Sequence, residues 1–128
     1  MVSGLLHYSG ANNPIYVLRK NGKETELIIL KGIRQAIGMV NQDTKPFPNC
    51  EFKIKTGDRV CMFSDGYPDQ FGGENNKKMG HKRFKELLIS SAHLSMADQK
   101  EFLRHKFNEW KNTEHQTDDM CLMSIQIG

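Results

Sequence analysis

Little in the 128-residue chain marks a specialised class: it has three cysteines, four prolines and one tryptophan. Cys50, Cys61 and Cys121 are odd in number and lack C-x-x-C spacing. Two of them sit within apolar stretches, so they read as buried free thiols of a reducing, cytoplasmic compartment. The longest apolar runs, Leu27 to Leu30 and Val60 to Phe63, fall far short of the ~20 residues that span a bilayer, so no membrane segment is expected. No charged leader with an apolar stretch and a cleavage site opens the chain, which reads against export. The net charge is only +3, and from Lys100 to Lys111 the basic residues are interleaved with acids. A nucleic-acid surface should be denser and more one-sided. What remains is an ordinary composition, 38% hydrophobic and 26% charged, of a length that suits one domain.

The first half has the texture of strands. Leu5 to Ser9, Ile15 to Arg19 and Glu26 to Leu30 are short and rich in β-branched and aromatic residues, with turn signals between them. Asn21-Gly22 predicts a hairpin, because both residue types tolerate positive φ. Asn41 to Asn49, with Pro46 and Pro48, reads as a loop. Glu51 to Lys55 alternates around Phe52 and Ile54 as a half-buried strand does. After the Thr56-Gly57-Asp58 turn, Arg59 to Ser64 is more continuously apolar and should be central.

The second half changes period. Phe84, Leu87, Leu88 and Ser91 share one helical face. A second helix is predicted from Ser95, an N-cap with Asp98 three residues on, to about Lys111, with Phe102, Leu103, Phe107 and Trp110 as its apolar side. Met120 to Ile127 returns to strand character with apolar residues in both alternating sets, which predicts cover on both faces. Phe71 to Gly80, rich in glycine and asparagine, reads as a mobile flap. His81, His93, His105 and His115 form no ligand spacing, and His105 with Glu101 reads as a surface pair.

The strongest local signal is Phe63-Ser64-Asp65-Gly66-Tyr67-Pro68-Asp69. An apolar strand delivers an acid at its end, a glycine allows a sharp turn, and a second acid follows. Carboxylates where a rigid strand enters a loop suit hard divalent cations such as Mg²⁺ or Mn²⁺. A strand-end turn in which Asp65 makes only backbone hydrogen bonds accounts for the same residues, and both readings stay open. Thr117-Asp118-Asp119 precedes the last strand. Two adjacent acids repel unless a cation or backbone amides compensate, and a solvated loop is the plainer account. The two acid segments converge if their strands pair antiparallel, since the end of one then lies beside the start of the other.

Four segments in register resemble the C-terminal part of a SpoIIE-type serine/threonine phosphatase, of the metal-dependent (PPM) protein phosphatase superfamily. They are Tyr8-Ser9-Gly10-Ala11-Asn12-Asn13-Pro14-Ile15-Tyr16, Gly32-Ile33-Arg34-Gln35-Ala36-Ile37-Gly38, Gly57-Asp58 with Phe63 to Gly73, and Gln116-Thr117-Asp118-Asp119-Met120. The resemblance implies an α+β fold, a portion of an αββα sandwich with two antiparallel sheets and flanking helices. It implies Mn²⁺ or Mg²⁺ ions at one end of the sandwich, activating a water that attacks phosphorus in line. By position, Asp65 and Asp118 would be ligands of one ion and Asp69 would serve a weaker outer site. Gly66 and Asp119 would stand behind them. The substrate class implied is a phosphoserine or phosphothreonine protein in bacterial signalling, such as an anti-sigma-factor antagonist.

The departures from that family bear on activity. Its bridging acid lies in an upstream Asp-x-x-Gly-His-Gly segment, and a further upstream Gly-Asp motif supplies another ligand; neither stands in these 128 residues. The expectation for residues 1–128 is therefore a partial phosphatase domain with an incomplete site and little activity of its own. The alternative is a non-catalytic piece acting through protein contact. Exposed sheet edges and an uncovered apolar face would also drive two copies to pair as a homodimer.

Overall fold

A computed structural model of the chain describes residues 3–38 and 45–128. Residues 41–44 of the proline-containing loop lie outside this range. Strands β1 (Ser3–Tyr8), β2 (Ile15–Asn21), β3 (Glu24–Leu30), β4 (Cys50–Lys55) and β5 (Arg59–Phe63) come first. Two short strands follow, β6 (Phe71–Gly72) and β7 (Lys77–Lys78), then helices α1 (Gly80–Ser91) and α2 (Met96–Lys111), and last strand β8 (Leu122–Gln126). The hairpin at Asn21-Gly22 forms, with Asn21 paired to Glu24 as the last residues of the ladder. Only Gly22 of the two takes positive φ, at 65°; Asn21 belongs to the strand.

Strand order β3-β2-β5-β8 makes a four-stranded antiparallel sheet, and β1-β4 makes a separate two-stranded one. The four-stranded sheet separates two cores. Tyr16, Leu18, Cys61 and Phe63 project to one side, where they meet Phe84 and Leu88 of α1 and Leu103 and Phe107 of α2. Val17, Leu30 and Val60 project to the other, where Leu6, Tyr8 and Phe52 of the two-stranded sheet cover them. The layers are thus helices, four strands, two strands. This is the α+β sandwich with two antiparallel sheets, carrying helices on one outer face among the described residues.

Both helices bury the stripes that their periodicity predicts. Ser95 caps α2, its hydroxyl accepting from the Asp98 N–H at 3.1 Å and donating to the Asp98 carboxylate at 2.7 Å. Glu101 pairs with Arg104 at 2.6 Å, one turn along, and not with His105. No helix among the described residues is long and apolar enough to cross a membrane.

Three expectations change. Strand β8 is not covered on both faces: it forms the edge of its sheet, with Met123 53% and Ile125 47% exposed. Cys121 beside it is also exposed, while Cys61 is buried as expected. The Phe71 to Gly80 segment is a small hairpin stapled to α2. The Gly73 N–H donates to the Trp110 carbonyl, and the Trp110 indole N–H donates to the Gln70 carbonyl, each at 2.9 Å. Gly72 packs so closely on the Trp110 carbonyl that a Cβ there would strike it.

Candidate functional site

The convergence of the two acid segments follows from one strand pairing. β5 and β8 run antiparallel with Phe63 opposite Leu122, so the chain leaving β5 toward Asp65 meets the chain entering β8 from Asp118 and Asp119. Ser64 ties the two together. Its N–H donates to the Cys121 carbonyl at 2.9 Å, and its hydroxyl donates to the Asp119 carbonyl at 2.8 Å while accepting from the Cys121 N–H at 2.9 Å. Gly66 sits against the same carbonyl: a Cβ there would fall on the Asp119 oxygen. The glycine is thus required by close backbone approach and not by positive φ, which it does not adopt. On the other side, the Gln116 side-chain amide holds the Asp118 carbonyl at 2.9 Å.

The loop after Asp65 is equally pinned. The Asp69 N–H returns to the Asp65 carbonyl at 2.9 Å, and Gly80 N–H reaches the Pro68 carbonyl at 2.8 Å. Tyr67 is buried against Phe84 and Phe107, with ring centroids 4.8 and 5.1 Å away. Its hydroxyl donates to the Leu103 carbonyl at 2.6 Å. Burial raises the Tyr67 pKa well above that of an ordinary phenol, so it stays a neutral donor. A rigid core therefore presents the acid loop, while Asp65, Asp118 and Asp119 themselves are exposed.

Asp69 lies on this loop, and its carboxylate is taken by Lys78 of β7 at 3.3 Å. Such an exposed pair is worth at most about 1 kcal/mol, too little to hold the carboxylate against a divalent cation. One neighbour of Asp65 was not legible in its motif. Tyr16 on β2 has its pKa raised by burial first and by the Asp65 charge second, and its hydroxyl lies 3.4 Å from the His81 Nδ1. Its only advance signal was its place in the first family-like segment. Beside Asp69 and Lys78 opens a groove of about 820 Å³, lined by Lys77, Lys78, Arg83, Lys106 and Trp110 among others. Arg83 stacks over the Trp110 ring at 4.2 Å.

The donors have the right chemistry for a hard cation, since exposed carboxylates are the ligands that Mg²⁺ and Mn²⁺ select. Their number does not suffice. Among the described residues, no three His, Cys, Asp or Glu side chains are grouped so that they could hold a metal ion. Asp65 and Asp118 are at most part of a ligand set, and the described residues do not complete it.

Two antiparallel sheets thus lie under a helix pair, with the acid segments at one end of the sandwich. The family model of Stage II sporulation protein E (SpoIIE) matches residues 1–128, and the chain belongs to that family. It is similar to the SiaA-PP2C domain of Pseudomonas aeruginosa, with 28% identity and a TM-score of 0.80, covering 97% of this chain and 46% of that one. It also shares its fold with the PP2C phosphatase domain of the cell fate determinant SpoIIE from Bacillus subtilis, at 15% identity and a TM-score of 0.60, over 96% of this chain and 34% of that one. A Mn-presoaked SpoIIE phosphatase domain from Bacillus subtilis matches at 16% identity and a TM-score of 0.51, over 96% of this chain and 56% of that one. Among curated proteins none matches. The chain thus spans about half the length of the solved domains, or less.

Proposed function

We propose that this chain is the C-terminal portion of a metal-dependent protein serine/threonine phosphatase. The assembled domain hydrolyses phosphoserine or phosphothreonine on a regulatory protein in bacterial cytoplasmic signalling. An anti-sigma-factor antagonist fits that class of substrate. The observation that carries the reading is the β5–β8 pairing, which brings Asp65 and Asp118–Asp119 to one end of the sandwich in a member of the SpoIIE family. In this reading Asp65 and Asp118 bind one Mn²⁺ or Mg²⁺, Asp69 leaves Lys78 to serve a weaker outer ion, and Gly66 and Asp119 hold the two loops in contact. The metal supplies charge neutralisation and an activated water. The residues of this chain supply a fixed platform for it. The mixed-charge groove beside Lys78 offers a surface along which a protein substrate can lie.

The chain by itself is expected to be inactive, because two carboxylates leave a divalent ion weakly held. The test has two arms. A longer polypeptide that includes the rest of the domain should release phosphate from a phosphoprotein with Mn²⁺, and Asp65→Asn or Asp118→Asn should lower turnover by at least about 100-fold. The 128-residue chain with excess Mn²⁺ should show none; clear metal-dependent turnover by it would defeat the incomplete-site reading. A non-catalytic contact role is the second reading. It is favoured by the exposed apolar residues of β8 and would gain if the longer polypeptide binds its partner without hydrolysis.

A further inference from the structure

The net charge of the chain is concentrated in one stretch. Residues 74–86, which run from the β6–β7 hairpin into α1, hold five basic residues and two acidic ones, while the rest of the chain holds thirteen of each. The whole excess of +3 therefore sits here. The stretch builds two walls of the groove of about 820 Å³ beside the acid loop, and α2 builds the third. These walls are fixed to one another. Gly73, at φ 70°, lies so close to the Trp110 ring that a Cβ would strike it, and Arg83 covers the same side chain from α1 at 4.2 Å. Of the four cations that line the groove, two are engaged: Lys78 with Asp69 at 3.3 Å and Lys106 with Glu109 at 2.8 Å. Lys77 and Arg83 make no ion pair among the described residues. Arg83 stands one helical turn from Glu86 yet takes the indole ring, and its N–H groups meet no acceptor among the described residues. A guanidinium stacked on a ring keeps its N–H edge free for two parallel bonds to a carboxylate.

We propose that this groove docks an acidic segment of the phosphoprotein substrate, with an Asp or Glu carboxylate accepting from the N–H edge of Arg83. The inference rests on the phosphatase reading and deepens it, by naming what the substrate carries beside its phosphorylated residue. Three observations choose the occupant. The local excess of positive charge draws acidic partners to this face. The unpaired guanidinium selects a planar acceptor with two oxygens. Glu74, Glu86 and Glu109 stand between the cations on the same lining, which suits separate carboxylate side chains and opposes the unbroken charge of a nucleic-acid backbone. The position of the groove decides which part of the substrate it holds. Lys78 belongs to its lining and pairs with Asp69, whose N–H returns to the Asp65 carbonyl. A substrate chain with its phosphorylated residue at the acid end therefore runs directly into the groove. Preference for a flanking acid arises there, apart from the carboxylates that face the metal.

Trp110 is the sole tryptophan, so its emission reports on the groove directly. In the first arm the 128-residue chain is titrated with a short glutamate-rich peptide and with the same peptide carrying glutamine. A saturable change in emission is expected with the first and none with the second. Arg83→Gln should weaken the glutamate peptide about fivefold or more, and Lys77→Gln about twofold. Lys100→Gln, which removes a cation of α2 outside the groove, should leave it unchanged; circular dichroism checks that each variant folds. In the second arm a longer polypeptide that includes the rest of the domain is given Mn²⁺ and phosphothreonine peptides flanked by glutamate or by glutamine. The kcat/KM ratio should favour glutamate by about fivefold or more, and Arg83→Gln should bring it to about one. Because both peptides are read on the same variant, general damage to the enzyme cancels. No response to the glutamate peptide, or a response or preference that Arg83→Gln leaves intact, overturns the proposal. So does tighter binding of a short single-stranded DNA than of the glutamate peptide. Arg83-dependent peptide binding, with no hydrolysis by the longer polypeptide, upholds the groove as an acidic-peptide site and counts against the phosphatase reading. Hydrolysis without glutamate preference, and with Trp110 emission unmoved, does the reverse.

Discussion

The two faces of the four-stranded sheet were built from similar residues and finished to different degrees. On the helix side Tyr16, Phe63, Phe84, Tyr67 and Phe107 form a continuous aromatic stack, with Tyr16–Phe63 and Phe63–Phe84 centroids at 4.7 and 4.9 Å. Every one of these rings is under a tenth exposed. The opposite face is sealed over Val17 and Val60 and open over Met62 and Met123. The chain thus supplies all the partners of one face and only some of the other's. The acids emerge where the finished face holds them still and the unfinished face leaves room beside them.

That contrast can be broken most forcefully on the finished side. Phe84 is fully buried among three aromatic neighbours; Phe84→Ala should cost about 3–5 kcal/mol, read from the urea midpoint. Next comes Asp58, 2% exposed, which takes a two-pronged ion pair from Arg19 at 3.0 and 2.6 Å and the Lys55 N–H at 2.9 Å. Burial pushes its pKa upward, but the Arg19 hydrogen bonds, the Lys55 N–H and the cationic charges outweigh it and leave the carboxyl below its ordinary 3.8. The stabilisation is therefore fully present above the unfolded-state value and is lost as pH falls through the lower folded one. Asp58→Asn should cost about 3 kcal/mol at neutral pH and flatten the acid limb of a stability–pH curve. Substituting a side chain at Gly66 probes the junction of the two faces. Gly66→Ala should cost about 1–3 kcal/mol by forcing the Asp119 backbone away, and it should weaken Mn²⁺ binding in the assembled domain more than it lowers the melting temperature. The smallest effect belongs to the open face: Met123→Lys should shift the stability of the free chain by no more than about 0.5 kcal/mol. A large loss there, by chemical denaturation, would mean that this face is already packed.

Much of this architecture was legible because it is local. The β2–β3 hairpin, the burial of Phe52 and Ile54, both helix faces and the Ser95 cap are set by periodicity and turn chemistry within a few residues. The approach of the two acid segments to one sandwich end needed only the assumption that β5 and β8 pair. What escaped was non-local. Nothing in Ser3 to Tyr8 says that its partner is Cys50 to Lys55 in a sheet of their own. The apolar residues on both sides of β8 read as buried because a strand's pattern does not tell whether this chain covers it. Gly66 was legible as a special backbone position, but its cause, the Asp119 carbonyl pressed against it, lies 53 positions away in sequence. Asp69 kept its place on the loop, while its ion pair with Lys78 depends on the β6–β7 hairpin, whose two-residue strands are too short to show a period.

The contact between Gly66 and Asp119 has a consequence for how this platform ages. The two acid loops are joined through backbone carbonyls, amides and one serine hydroxyl, and none of those links uses a carboxylate. Scaffold and chemistry are therefore inherited separately. A descendant that exchanged Asp65 or Asp118 for a neutral residue would keep the same loop geometry and the same sheet, and a loss of catalysis would leave no scar in the fold.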